Sequence, residues 1–334
     1  MRKFTLLTAM LAITFGKAQD LNDIFVSGIN DAERFANAYL SPVSEGAIFG
    51  ISNGWYNTAD SKPLAGFEIS IVGNITGFKN KEDKKAFLLD PNDYENLDFV
   101  QNPGQARMVS TSLGDLEGIE VFVEEGAFRE DFVLPSGLAA ENLNFIPSGF
   151  IQASVGLIKG LEVKARFLPK LKFEDDVELE LFGAGLQYDF TKILPADKLL
   201  PIAISAVIGY TGLDGEYDFT DSSTISGSDQ RMDVSFKTWN FSAVVSTKNI
   251  PVINFYGGLG YVTGKSDIDL LGTYQASGPF FSQTVVDPFS VSKKANGVTA
   301  NLGTKLKLGF FRLNAEYNFS EFNTFTFGVN FGFR

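Results

Sequence analysis

From about residue 66 to the C-terminus, apolar and polar residues alternate with a period of two, and the ionised residues keep to one face. At the C-terminus Phe325, Phe327, Val329, Phe331 and Phe333 take one side, and Thr326, Gly328, Asn330 and Gly332 the other. Leu161, Val163, Ala165 and Phe167 likewise oppose Glu162, Lys164 and Arg166, and Leu313, Ala315, Tyr317 and Phe319 oppose Arg312, Asn314, Glu316 and Asn318. Because successive side chains of a strand point to opposite faces, each such run predicts a strand with one apolar face. The runs at 66–78, 105–113, 118–125, 147–158, 161–167, 182–190, 202–211, 232–247, 252–265, 298–308, 312–319 and 325–333 give about twelve strands, or fourteen if a long loop hides a pair.

A soluble sandwich also alternates, so two further features decide between the readings. The apolar faces are nearly free of charge, as required where Lys or Arg at mid-bilayer would cost about 2–4 kcal/mol. Loop length alternates too. Residues 159–160, 248–251 and 309–311 are tight connections, whereas 79–104, 126–146, 213–231 and 266–295 are long and polar. Short turns on one rim and long loops on the other belong to membrane β-barrels. Tyr188, Phe190, Tyr210, Phe219, Tyr261, Phe331 and Phe333 stand at strand ends, where interfacial aromatic girdles are expected. The expected fold is therefore all-β: a transmembrane antiparallel β-barrel of 12–14 strands.

The segments ahead of the strands read differently. Arg2 and Lys3, the apolar run Thr5–Phe15, and Gly16-Lys17-Ala18 before Gln19 form the pattern of a cleaved export signal over residues 1–18. Over 20–41 the residues Leu21, Ile24, Phe25, Ile29, Phe35, Ala36 and Tyr39 recur at three- and four-residue steps, which predicts an amphipathic helix ended by Pro42. Residues 46–60 read as irregular, with a turn at Asn53-Gly54. The expected organisation is a signal peptide at 1–18, a helical hatch or plug at 19–64 and the barrel at 65–334.

Composition narrows the chemistry. The chain has no His and no Cys, so no Ser-His-Asp triad, thiol nucleophile or thiolate metal site can be built, and an enzyme is not expected. Its formal charge of −12 argues against nucleic acid as a partner. Acidic runs such as Asp90 to Glu95 and Asp214 to Asp221 lack the spacing of a calcium loop and read as solvated surface. No cofactor or metal is expected.

The signal ending in Lys17-Ala18-Gln19-Asp20, the helical Asp31-Ala32-Glu33-Arg34 and the stretch Gly54-Trp55-Tyr56-Asn57-Thr58-Ala59 resemble an uncharacterised outer-membrane family of Bacteroidota, over most of the mature chain. A looser likeness is to the FadL-like long-chain fatty-acid transporters. That likeness implies an N-terminal hatch inside a fourteen-stranded barrel and lateral passage of hydrophobic molecules. The transporters' Asn-Pro-Ala stretch is replaced by Asn57-Thr58-Ala59, and the resemblance supplies architecture only.

Alternation places Glu68, Glu120, Glu162, Lys164, Arg166, Asp189, Lys305, Lys307, Arg312 and Glu316 on the lumen face. Mixed signs there favour mutual pairing over an ion-selective ring. Candidate hatch residues are Phe25, Ile29, Phe35, Tyr39, Trp55 and Tyr56. In a Gram-negative outer membrane this would be a porin-like barrel passing small hydrophobic molecules. It would meet outer-membrane lipid, the barrel-assembly machinery reading the final aromatic strand, and a small hydrophobic ligand. The competing reading is a surface barrel that transports nothing and acts in adhesion or structure through its acidic loops.

Overall fold

The computed structural model describes residues 28–125, 128–173, 177–195, 200–218, 226–248, 250–278 and 281–333. The expected signal sequence, the hatch residue Phe25 and the girdle residue Phe219 lie outside the described residues. Helix α1 (Ile29–Ser52) comes first, followed by strand β1 (Phe67–Gly77). Five short strands follow: β2 (Ala86–Leu89), β3 (Leu97–Phe99), β4 (Arg107–Ser110), β5 (Glu120–Glu125) and β6 (Phe128–Val133). The remaining strands are β7 (Phe145–Ile158), β8 (Leu161–Phe173), β9 (Val177–Asp189), β10 (Ile202–Asp218), β11 (Ser226–Thr247), β12 (Ile253–Gly278), β13 (Phe281–Val286), β14 (Phe289–Leu308), β15 (Phe311–Phe319) and β16 (Thr324–Phe333).

Ten of these close into a ring. Its order is β1-β7-β8-β9-β10-β11-β12-β14-β15-β16, with β16 returning to β1 (Ile71 opposite Val329) and β11 joined to β12 (Phe241 opposite Tyr261). All pairs are antiparallel, and β13 only extends the far end of β12. The fold is thus a closed β-barrel with one N-terminal helix, with ten wall strands rather than twelve to fourteen. The two expected wall strands at 105–113 and 118–125 belong elsewhere. The described residues of 78–144 form a cap over one mouth, containing a β2–β4 pair and a β3-β5-β6 sheet. Alternation is present there, but its apolar side faces a core shared with α1, including Phe35, Leu97, Val109 and Val121. Period two marks a half-buried strand without saying what covers it. Glu120 accordingly lies exposed on the cap, not in the lumen.

The helix departs from expectation as well. It runs straight through Pro42 to Ser52, and only residues after it are irregular. Proline in a helix interior removes a hydrogen bond and costs about 3 kcal/mol in isolation. Here tertiary packing outweighs that cost. Ile48, Phe49 and Ile51 are buried, and the wall crowds two glycines of the helix. A Cβ on Gly46 would stand 2.6 Å from Ile146, and one on Gly50 2.6 Å from Thr76. The helix continues because the lumen surrounds it.

Outside, the barrel wears an apolar belt. At the short-turn end it includes Phe67, Phe333, Phe255 and Phe190; at the other it ends in a girdle of Phe167, Phe182, Trp239, Tyr261, Phe319 and Phe325, all exposed. Tyr210 packs against Trp239 in that girdle, with ring centroids 5.1 Å apart. Beyond it the wall reverses. Leu179, Leu181, Met232, Val234, Phe236 and Ile268 turn apolar side chains inward, while Glu178, Asp214, Asp233 and Asp269 stand on the opposite face of the same strands. Strand parity is unbroken, so the switch from apolar-out to apolar-in marks where hydrocarbon stops and water begins. No helix among the described residues is long and apolar enough to cross a membrane.

Candidate functional site

The lumen has two storeys joined by one arginine. α1 starts at the capped mouth, where the Asp31 carboxylate accepts the backbone N–H groups of Glu95 (2.8 Å) and Asn96 (2.9 Å) and the Tyr39 hydroxyl donates to Ser136 O (2.7 Å). It descends to mid-barrel, where Asn74 donates to Gly50 O at 3.1 Å. An extended strap, residues 53–66, then follows the lumen to the short-turn rim and enters β1.

The lower storey grips this strap. Lys62 pairs with Glu162 at 3.0 Å, and Glu162 also pairs with Lys164 at 2.6 Å. Glu68 holds Lys305 at 2.9 Å and Arg312 at 2.6 Å, while Asn57 donates to Glu68 at 2.9 Å and accepts from Lys305 at 2.8 Å. Ser61 N–H donates to Asp189 (3.2 Å), the Ser205 hydroxyl donates to Ala59 O, and Lys192 reaches Asp60 at 2.7 Å. Lys62, Glu68, Glu162, Lys164 and Lys305 thus each have a partner of opposite sign, the arrangement that keeps ionised groups tolerable in a low-dielectric interior.

Glycines make room for the strap's aromatics. Trp55 is enclosed by wall glycines, and a Cβ on Gly209 would fall 2.2 Å from its ring and one on Gly185 2.7 Å. Tyr56 donates to Asn301 at 3.0 Å and meets Tyr256 edge-on.

Arg166 separates the storeys. Its guanidinium lies 3.6 Å from the Trp55 ring centroid and 4.2 Å from that of Phe150. It donates to Ile51 O (2.9 Å), Asn53 O (2.7 Å), Gln152 (2.9 Å) and Thr211 (3.3 Å). Ile51 and Asn53 are the carbonyls at the end of α1, where a cation also complements the helix dipole. The side chain is fully buried, and these acceptors take four of its five N–H groups, both of those on Nη1 among them.

Above Arg166 lies an apolar chamber of about 150 Å³ between α1 and the β7–β12 wall, lined by Leu40, Ala47, Ile51, Leu168, Leu181 and Met232 among others. It coincides with a break in that wall. β7 pairs with β8 from Ile158 opposite Leu161 only as far as Ile151 opposite Phe167. Beyond that point Phe145–Phe150 stays bonded to β1, and Leu168, Leu171, Lys172 and Phe173 stay bonded to β9, with no ladder between the two edges. Pro169, which has no N–H to give, stands in the unpaired edge. On β7 the in–out burial alternation disappears from Phe145 to Gly149. The break begins at Phe167 in the aromatic girdle, where unpaired backbone can meet headgroups and water, not in hydrocarbon where it would go unsatisfied.

A family model described as "Family of unknown function (DUF6588)" matches residues 1–333. The chain belongs to that family. No curated protein matches the sequence. Solved structures similar to it are membrane barrels at low identity. The translocator domain of autotransporter NalP from Neisseria meningitidis is 12% identical, with a TM-score of 0.32, over 83% of this chain and 90% of that one. Ail, the attachment invasion locus protein of Yersinia pestis, is 10% identical, with a TM-score of 0.26, over 81% and 100%. A Pseudomonas aeruginosa FadL homologue is 8% identical, with a TM-score of 0.24, over 80% and 90%.

In this family member the structure brings Glu68, Glu162, Lys164, Arg166, Asp189, Lys305 and Glu316 into the buried lumen, with Arg312 and Lys307 half-buried toward the short-turn rim. The described hatch residues separate into two groups. Ile29 (half-buried), Phe35 and Tyr39 sit at the capped end, where Phe35 stacks on Tyr39 at 5.6 Å and packs against Phe87 of β2. Trp55 and Tyr56 sit in the lower lumen. Neither group forms the chamber. Its lining comes from Leu40–Ile51 of α1, Leu138 of the cap, Ile146–Gly149 of β7 and inward apolar residues of β8–β12, which sequence reading did not bring together. Two signals were present: the apolar spacing of Leu40, Val43, Ala47 and Ile51 across Pro42, and the parity switch along the long strands.

Proposed function

We propose that this protein is a bacterial outer-membrane barrel that passes small apolar molecules, without chemistry, between the external leaflet and its luminal chamber. The carrying observation is that the apolar chamber and the break between β7 and β8 occupy the same stretch of wall. The chamber alone could be a packing defect, and the break alone an irregular edge. Together they make an apolar space whose side door opens at the aromatic girdle, level with the headgroups of the external leaflet. The cap and α1 block the axial route for ions, and the strap blocks the floor, so access is sideways. Onward release to the periplasm requires the strap to yield. Export by the N-terminal signal and insertion by the barrel-assembly machinery, guided by the aromatic Phe325–Phe333 strand, fit the same reading.

The closed lumen is also what a non-transporting surface barrel would have, and the folded cap offers such a barrel its external face. The door separates the two readings. In this cysteine-free chain, Ser148→Cys with Leu168→Cys can be bridged by a cleavable bifunctional maleimide. Uptake of a radiolabelled alkylbenzene by cells carrying the protein should fall to the level of cells lacking it, and recover when the bridge is cleaved. Uptake that ignores the bridge would assign the barrel to the surface role.

A further inference from the structure

The chamber's lining contains almost no polarity. Among the described residues, Ser44 and Ser148 contribute its only polar side chains, and no Lys, Arg, Asp or Glu lines it. Ser148 has a partner, its hydroxyl accepting from Asn74 at 3.2 Å. Ser44 has none. Its hydroxyl is buried at 1% exposure, on the helix face that borders the chamber, and has no hydrogen-bond partner among the described residues. A serine inside a helix usually bonds back to the carbonyl four residues earlier, as Ser52 does to Ile48 at 2.6 Å in this same helix. Ser44 forgoes that bond and leaves one hydroxyl in an otherwise greasy space. A buried unsatisfied hydroxyl is unfavourable, and a ligand group can relieve it.

Charge decides the rest. A carboxylate entering this chamber would shed its water and meet no cation among the lining residues, and the nearby Arg166, two residues along β8 from Leu168, already gives four of its five N–H groups to Ile51, Asn53, Gln152 and Thr211. A space of about 150 Å³ matches a benzene-sized molecule, not a long acyl chain.

Resting on the transport reading above, we propose that the chamber takes a small uncharged ring compound bearing one hydroxyl or carbonyl group, hydrogen-bonded to Ser44, and rejects carboxylates. The test uses three probes of one skeleton: benzyl alcohol, toluene and benzoate. Each is measured by equilibrium dialysis against full-length protein in detergent, with Ala47→Trp, which fills the chamber, as the blank for micelle partition. Wild type should bind benzyl alcohol about five- to ten-fold more tightly than toluene, the range of one net hydrogen bond, and benzoate least. Ser44→Ala loses only an unpaired hydroxyl, so it should fold normally. It should erase the preference by weakening benzyl alcohol while leaving toluene unchanged. Benzoate binding as well as the alcohol, or a preference that survives Ser44→Ala, would overturn the ligand class while leaving an apolar site in place. If no probe binds wild type above the Ala47→Trp blank, the chamber is not a binding site and the transport reading falls with it.

Discussion

The two halves of this lumen solve the same packing problem with opposite chemistry. Toward the short turns the wall meets the strap with ion pairs and hydrogen bonds: Glu68 with Lys305 and Arg312, Glu162 with Lys62 and Lys164. Toward the cap it meets α1 with Leu181, Met232, Phe236 and Ile268. Directional contacts fix one position, and breaking any of them strands a charge. Apolar contacts tolerate sliding and leave gaps. The polar half is therefore suited to locking a segment, and the apolar half to admitting something. Space and wall break are found in the second, as that difference requires.

The sharpest way to break the comparison is to ask which half faces outward, because the effect is all-or-none. With short turns periplasmic, α1 begins outside the cell and the strap ends inside it. Asn30→Cys, at an exposed position on the capped mouth, should be labelled in intact cells by a membrane-impermeant maleimide. Lys159→Cys, exposed in the β7–β8 turn, should react only after the outer membrane is opened. Reversed labelling would put the chamber's door in the wrong leaflet.

Next in size is the loss of one lock. Glu68→Leu leaves Lys305 and Arg312 facing each other without their shared carboxylate, in a wall where both had been paired. Removing one partner of a buried ion pair costs about 3–5 kcal/mol. Urea titration of the detergent-folded protein should show a loss of that order, and a loss below about 1 kcal/mol would mean the strap is held by something else.

How much of this division was legible in the sequence depends on what each signal encodes. The lower half was readable, since Glu162, Lys164 and Arg166 are charged residues on the polar parity of an otherwise apolar strand, and only a lumen accommodates them. The strap residues that grip the wall were not. Lys62, Asn57 and Asp60 lie in an irregular strap with no period, and their meetings with Glu162, with Glu68 and Lys305, and with Lys192 depend on three-dimensional threading. The upper half was hidden by two reasonable rules. Pro42 ends most helices, but here wall packing carries the helix past it. Apolar-out alternation stops at Phe182 in β9 and at Thr211 in β10, so 213–231 and 266–295 read as long polar loops, whereas β10, β11, β12 and β14 continue into those stretches with the other parity apolar. Likewise the cap strands β4 and β5 alternate as wall strands do, because alternation reports one covered face and not the identity of the cover.

The chamber wall supplies the next test. Leu181 is almost fully buried and lines the chamber. Leu181→Ala should cost about 2–3 kcal/mol, the low end for such truncations because the site already borders free space that limits the packing lost. The same change should widen the chamber, so a ring bearing two more carbons should gain affinity relative to toluene. An equal truncation in the polar half would offer no such exchange of stability for capacity.

The smallest expected effect lies where the halves meet. Gly209 of β10 sits against the Trp55 indole, and a methyl group there would come within 2.2 Å of the ring. Gly209→Ala must push Trp55 away, and Trp55 is the face on which Arg166 stacks at 3.6 Å. Overpacking of this kind costs about 1–3 kcal/mol, and the shift should pass through Arg166 to the Ile51 and Asn53 carbonyls at the end of α1. The indole is a built-in reporter, since Trp239, the only other tryptophan, lies on the lipid-facing girdle. In a Trp239→Phe background the single remaining emission should shift when Gly209 becomes Ala. Adding Trp55→Phe, which trims the crowded ring, should return part of the lost urea resistance. Should Gly209→Ala instead leave both emission and stability untouched, the strap would not be seated against β10, and the floor that separates lock from chamber would have to be sought elsewhere in the lumen.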